Sequence, residues 1–418
     1  MPRLEGTDNI ILTDDVIAKE AMRLLKNNLV ATRLCHRDHE QRFGSIGDTI
    51  SVKKPSRIKS ASGRTLVKQP MVDQVVAVKV DNQEHVGLEF NSIDRSLTLG
   101  DFSSRHLASG ISQIAHAIDS SIIRTAKNAF FFSSGTPGGA VTSDNFVDAA
   151  AYMSMVGVPA DNMCANLLNP LDAASYRKDL TSLNNPAMVK AAIERSYLGY
   201  MGGSESYETA QMIPHTVGAL GGTPLVVGAS QTGATLNVDG GSNSVTDWML
   251  EGDVFTIAGV YEINPRTYVS TGRLQRFVCT ADVDTSGTGT VTIPISPAIN
   301  DGTVTGVDKT GASISLAAYQ NVTAAPADNA AITVIGSAGT TYRQNLTFHR
   351  DAVSLAMIDI HLPESAPVAK RVRDEDTGLS LLLTAQYDIN DMTETYRVDA
   401  LWACDAIYPE LGHRVWGG

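Results

Sequence analysis

The chain has 418 residues, 43% of them hydrophobic and 19% charged, and a formal net charge of −12. That length outgrows a single hydrophobic core, so two or three packed units are expected. The acidic balance argues against a chain-wide grip on nucleic acid or an anionic membrane, because both surfaces repel it.

Met1 to Asp8 carries acidic residues where a secretory signal needs a positive end and an apolar run, and no apolar stretch is long enough to cross a bilayer, so a cytoplasmic chain is expected. Cys35, Cys164, Cys279 and Cys404 lack paired spacing and fit free thiols in a reducing compartment. Thr13-Asp14 is placed to cap a helix running to about Val30, with Ile17, Ala21, Leu24 and Asn28 on a thin stripe that needs a partner surface. Cys35-His36-Arg37-Asp38-His39-Glu40 gathers metal-ligand residue types, but it has no matching second half and Arg37 and Arg42 repel a cation. A polar linker is expected there, and no metal site.

From Ile50 to Phe90 the pattern alternates as in strands, around a basic tip holding Lys53, Lys54, Arg57, Lys59, Arg64 and Lys68. This reads as a long two-stranded projection. Isolated ribbons are marginal in water, so the arm is expected to lie on another subunit; a solvated hairpin with a basic face is the plain alternative. Asp101 to Phe132 reads as a spine helix of about 30 residues, with Leu107, Ile111, Ile114, Ile118, Ile122 and Ala126 on one face. His106 and His116 on that spine read as surface or interface residues. A further helix starts at Thr142 or Ser143 and ends before Gly157, Met163 to Leu168 reads as a buried strand, and Leu171–Leu180 and Pro186–Tyr197 read as helices.

Thr223 to Asn345 has a different composition. Gly, Thr, Val and Ala dominate, Lys309 is the only lysine, and short apolar runs alternate with turn clusters, as in a separate β-rich module. The flanking segments must then complete each other across this insertion. Beyond it, Leu346–His349 and Ala352–Ile360 are densely apolar. Lys370, Arg371, Arg373, Asp374, Glu375 and Asp376 read as a mixed-charge loop suited to self-association, ahead of a hairpin pairing Leu379–Tyr387 with Thr395–Trp402.

No phosphate loop, nucleophile elbow or zinc-protease motif occurs. Asp282 to Gly287 copies the first half of a calcium loop, but Ile293 stands where the bidentate Glu belongs, so a tight hairpin turn is expected. No catalytic residue, cofactor site or metal site is expected, and the chain is not read as an enzyme.

The order of these elements resembles the major capsid proteins of tailed bacteriophages, the HK97-fold family. Leu250 to Val260 is similar to the strand entrance in the inserted domain of short-tailed Salmonella phage coat proteins, and Phe146–Ala149 to Leu168-Asn169-Pro170 is similar to their axial domain. The resemblance implies an α+β HK97-like capsid fold with an inserted β-barrel-like domain. It divides the chain into an N-terminal arm (1–45), extended loop (46–92), peripheral domain with spine helix (93–141), axial domain (142–222), insert (223–345), axial return (346–362) and a peripheral hairpin (363–418). It further implies self-assembly into pentamers and hexamers of an icosahedral shell around double-stranded DNA, scaffolding and portal proteins as partners, only weak contact with the DNA, and assembly in a bacterial cytoplasm into a virion.

One departure from the family stands out: Gly228 to Thr235 is short where related inserts carry a long acidic loop, which puts contacts across the two-fold axis in question. Some relatives crosslink a lysine of the extended loop to a neighbour, but no dependable carboxylate partner stands near Lys53, Lys54, Lys59 or Lys68, so covalent crosslinking is not expected. The rival readings are a β-rich carbohydrate-binding protein or enzyme, stacking sugars on Trp248, Tyr261, Tyr268 and Tyr319, and a cellular nanocompartment shell of the same fold.

Overall fold

The computed structural model describes residues 14–37, 49–60, 63–64, 66, 69, 71–91, 107–159, 161–182, 198–307, 313–363, 368–374, 378–389 and 393–418. It resolves into two compact units, one of Met1–Ser51, Ala77–Ile122 and Ser354–Asp405, the other of Val52–Val76, Ile123–Val353 and Ala406–Gly418. The helices are α1 (Asp14–Asn28), α2 (Ala108–Ala129), α3 (Ser143–Val156) and α4 (Pro170–Ser182).

The first unit is built on the 13-residue strand Thr393–Asp405. Three strands pair with it antiparallel: Asn82–Asn91 along Thr393–Trp402, Ser380–Asp388 along Thr393–Asp399, and Ser354–Met357 along Trp402–Asp405. Val368–Arg373 extends the sheet beyond Ser380–Asp388. Leu107, Ile111, Ile114, Ile118 and Ile122 are buried as their spacing requires. The Trp402 indole Nε1 donates to Ser121 Oγ on α2 at 2.8 Å, and a Cβ at Gly110 would lie 2.8 Å from Val86, so only glycine permits this approach of helix to sheet.

Four expectations change here. The two-stranded projection is shorter, because Asn82–Asn91 pairs with Thr393–Asp405 and not within the arm; alternation reveals a strand but not its neighbour. The described part of the spine is 22 residues, about 33 Å, and Phe130–Phe132 leave the helix to enter the core of the second unit; residues 101–106 lie outside the described set. The buried stripe of α1 is Ile17, Ala18, Ala21, Met22 and Leu25, whereas Asn28 is exposed, since a 3.6-residue period rotates the face away from a polar Asn. Lys370 to Arg373 is strand, not loop; charged residues on an edge strand read as a loop in sequence, yet they suit an edge that must not pair further. The helix expected over Pro186–Tyr197 lies outside the described residues.

In the second unit, a mixed six-stranded sheet runs in the order Ser133–Ser134, Gly412–Trp416, Gln344–His349, Cys164–Leu168, Ser204–Glu208, Tyr200–Met201. Every residue of Gln344–His349 and Gly412–Trp416 is buried. Phe146 of α3 and Tyr176 of α4 meet edge to face at 5.5 Å in a core shared with Leu168, Leu198 and Val415. Helix α3 stops at Gly157, whose φ of +93° is the left-handed cap that glycine adopts without strain.

The insert is a second sheet, ordered Ile332–Val334, Val254–Ile263, Ser270–Cys279, Val291–Ile299, Gly233–Gly241, Gly222–Val226. Its two end strands meet through the Leu225–Ala331 bridge, with Val226 N donating to Ala330 O at 3.0 Å, so the sheet closes into a barrel. Trp248, Leu236, Phe255, Phe277 and Ile293 fill the interior; burial of each Phe stabilises by about 1.5–3 kcal/mol. The Asp282 region is an eleven-residue connection, 280–290, and not a tight turn. Asp282 Oδ1 accepts from Glu251 N at 2.7 Å and Asp284 Oδ1 from Asp247 N at 2.7 Å, which ties the connection to the barrel.

Candidate functional site

The basic loop lies in the second unit, and most of its cations meet side chains of the same chain. Lys53 Nζ pairs with Asp73 Oδ2 at 3.0 Å across the ribbon. Lys54 Nζ sits 5.0 Å above the Tyr408 ring and Lys59 Nζ 4.3 Å above the Tyr268 ring. Arg57 Nη2 pairs with Glu410 Oε1 at 3.1 Å. Gln69 Oε1 accepts from Lys59 N at 2.9 Å, joining the two arms of the loop near its tip. Arg64 is exposed without a partner among the described residues, and Lys68 lies outside them. The loop also exposes Ile58, Leu66, Met71 and Val75, each more than half accessible.

The charged edge strand is similarly occupied in its own unit. Lys370 Nζ reaches Asp15 at 3.2 Å, Arg373 Nη1 reaches Asp359 at 3.2 Å, and Asp374 Oδ2 meets Lys26 at 3.0 Å, so two of the three pairs fasten α1. These are solvent-exposed pairs, each worth about 0–1 kcal/mol. Arg371 is exposed, and Glu375 and Asp376 lie outside the described residues.

A buried polar junction joins barrel and sheet in the second unit, and it went unread in the sequence. Lys127 Nζ lies 3.2 Å from His215 Nδ1, and His215 Nε2 lies 2.9 Å from Asp253 Oδ1. An ammonium only donates, so Nδ1 accepts and the ring proton on Nε2 is donated to Asp253. Asp253 Oδ2 accepts from Gly218 N at 3.0 Å and Leu250 N at 2.8 Å. Arg414 Nε donates to Gln344 Oε1 at 3.1 Å, its Nη1 donates to Gly252 O, and its guanidinium lies 5.0 Å from the Trp416 ring. Burial and the Arg414 charge hold Lys127 down at about 8, and burial holds Arg414 down at about 10. The only signal in the sequence is a lone charge beside apolar runs, Asp253 before Val254-Phe255 and Arg414 before Val415-Trp416; nothing there names the partners.

Two buried histidines make stability pH-dependent. Burial pushes His215 down to about 4 against the opposing Asp253 hydrogen bond, and burial with the nearby Arg276 charge pushes His413 to about 3. Below the ordinary histidine value of 6.5 the unfolded chain takes up protons that the native chain refuses, so stability present above 6.5 is lost as pH falls towards 4 and 3. Each histidine is expected to remove roughly 2–3 kcal/mol by pH 4.5, measured as the urea midpoint against pH 7. Neither His413 ring nitrogen has a hydrogen-bond partner among the described residues, so His413→Leu is expected to flatten this dependence without lowering stability at pH 7.

Among the described residues no group of three or more His, Cys, Asp or Glu is arranged to hold a metal ion, and no described helix is long and apolar enough to cross a membrane. The family described as "P22 coat protein - gene protein 5" matches residues 15–417, almost the whole chain. The chain belongs to the P22 coat protein family. No curated protein matches the coat protein by sequence. Among solved structures it is similar to one described as Mycobacterium phage Che8, with a TM-score of 0.45 and 11% identity over 93% of this chain and 90% of that one. A virus-like particle from Pyrococcus furiosus gives a TM-score of 0.37 and 7% identity over 96% and 98% of the two chains. The CUS-3 coat protein I-domain is 30% identical over 28% of this chain and 96% of its own, with a TM-score of 0.18.

The coat protein is therefore a major capsid protein with a structural role, a component of the virion that self-assembles into a shell. Its fold is the α+β HK97-like capsid fold carrying an inserted β-barrel.

Proposed function

We propose that copies of this coat protein form the pentamers and hexamers of an icosahedral shell enclosing double-stranded DNA, without catalysis by the chain itself. The match to the coat family over 15–417 carries this reading. Assembly takes place in the host cytoplasm with scaffolding and portal proteins. The net charge of −12 favours weak contact with packaged DNA, which an acidic wall lets slide.

In this reading residues 1–45 are the arm, 46–92 the extended loop, 93–141 and 363–418 the peripheral domain, 142–222 and 346–362 the axial domain, and 223–345 the insert. The loop's outward side, with exposed Arg64 and Lys53 beside Ile58, Leu66 and Met71, contacts a neighbouring subunit; Lys54, Arg57, Lys59 and Lys68 belong to the same contact. Lys370, Arg371, Arg373, Asp374, Glu375 and Asp376 form a second one.

The test is negative-stain microscopy with sedimentation of the chain expressed alone and then with its scaffolding partner. Shells or capsomers are expected, and a strictly monomeric species under both conditions overturns the shell reading. Lys53→Glu combined with Arg64→Glu changes the two loop cations that, among the described residues, are least engaged with the rest of the subunit. It is expected to block shells and leave the unfolding curve unchanged; normal shells would refute the role of the loop.

A further inference from the structure

Beside its contacts with Tyr408 and Glu410, the basic loop meets two tyrosines of the insert. Tyr319 Oη donates to Val72 O at 2.7 Å and accepts from Arg57 N at 3.2 Å, so one hydroxyl ties the outgoing and returning arms of the loop together. Tyr268 lies beneath the Lys59 ammonium, and its own hydroxyl donates to Ala318 O at 3.0 Å, one residue before Tyr319. Tyr319 closes a short 3-10 turn, Ala317–Tyr319, whose entry is fixed by Asn300 Nδ2 donating to Leu316 O at 3.0 Å. The two rings are thus set by the barrel and aimed at the loop.

Beneath the loop, the body does not pack closely against it. A cavity of 360 Å³ lies there, lined by Lys54, Arg57, Gln74, Glu262, Gln275 and Tyr319 among others. Continuous apolar contact would hold the loop as part of a core. Instead, it rests on a few polar and cation–aromatic contacts above an unfilled space, and its large apolar residues Ile58, Leu66, Met71 and Val75 face away. Such a segment is ordered by its anchors, because a two-stranded ribbon does not order itself, and it is released when they are removed.

We infer that the insert is a cradle for the extended loop of its own subunit, in which Tyr319 and Tyr268 are positioning residues that hold the loop ordered before the chain meets a neighbour. Pre-ordering the loop removes entropy that assembly would otherwise lose. The cradle deepens the shell reading and rests on it only for the consequence in assembly.

Hydrogen exchange on the unassembled full-length chain tests it. Loop amides across Val52–Val76 are expected to be protected in the wild type and to exchange about tenfold faster in Tyr319→Phe, which removes both hydroxyl hydrogen bonds. Lys59→Met, which leaves the insert untouched, is expected to accelerate the same peptides. The strands Val254–Ile263 and Ser270–Cys279 keep their protection in both variants and report that the barrel is folded. Free-chain exchange of the loop in the wild type, or unchanged loop exchange in both variants, overturns the cradle. Loop protection is read before assembly and shells are scored separately by microscopy, so a chain that never forms shells sinks the shell reading and leaves the cradle standing.

Discussion

Asp253→Ala is expected to lower the stability of the unit containing the insert by about 3–5 kcal/mol, the loss expected when a buried carboxylate that satisfies several buried donors is removed. The carboxylate is fully buried. It accepts hydrogen bonds from Gly218 N, Leu250 N and His215 Nε2, and its removal leaves three donors without their acceptor. Lys127 and Arg414 then keep each other's charge in the interior, with Glu251 the remaining carboxylate acting on Lys127. Urea unfolding followed by the fluorescence of Trp248 and Trp416 measures the loss, and Asp253→Asn, which keeps an acceptor, should recover part of it. A change below about 1 kcal/mol would show that the junction is not what ties barrel to sheet.

Asp119→Ala should cost about 3 kcal/mol in the other unit. Asp119 is 1% exposed on α2 and accepts from Val30 N at 2.8 Å, Ala31 N at 3.3 Å, Thr32 N at 3.0 Å and Thr32 Oγ1 at 2.6 Å. It caps the short helix Ala31–Leu34 from outside, as an N-cap side chain does from within. The expected result is early loss of protection over α1 in hydrogen exchange, with the helix α2 itself retained. The surface pairs Lys370–Asp15 and Asp374–Lys26 are too weak to replace that carboxylate.

Both residues show where reading the sequence stops. The spine's apolar face was legible because Ile111, Ile114, Ile118 and Ile122 repeat at the helical period, and their burial follows. The insert was legible because its composition changes at Thr223, and its runs do form strands. Asp119 was hidden because one carboxylate beside an apolar stripe looks the same whether it faces solvent or caps a distant turn. The charged strand Val368–Arg373 was hidden because edge strands carry the residues that loops carry. The strand Asn82–Asn91 was seen as a strand and given the wrong neighbour, since alternation encodes a face and leaves the partner open.

The sequence by itself determined the β-rich nature of the stretch after Thr223, the apolar face of the spine and the basic character of the loop, because periodicity and composition are local and survive in one dimension; the capsid family entered through a resemblance in the order of the elements. Only the tertiary structure decided that the end strands of the insert meet to close a barrel, that Lys127, His215, Asp253 and Arg414 share one buried junction, and that the loop's cations rest on Tyr268, Tyr408 and Glu410 of the same chain. Those contacts join residues as far apart as Arg57 and Glu410, and which partner a charge finds is set by the desolvation it must offset once the chain has packed.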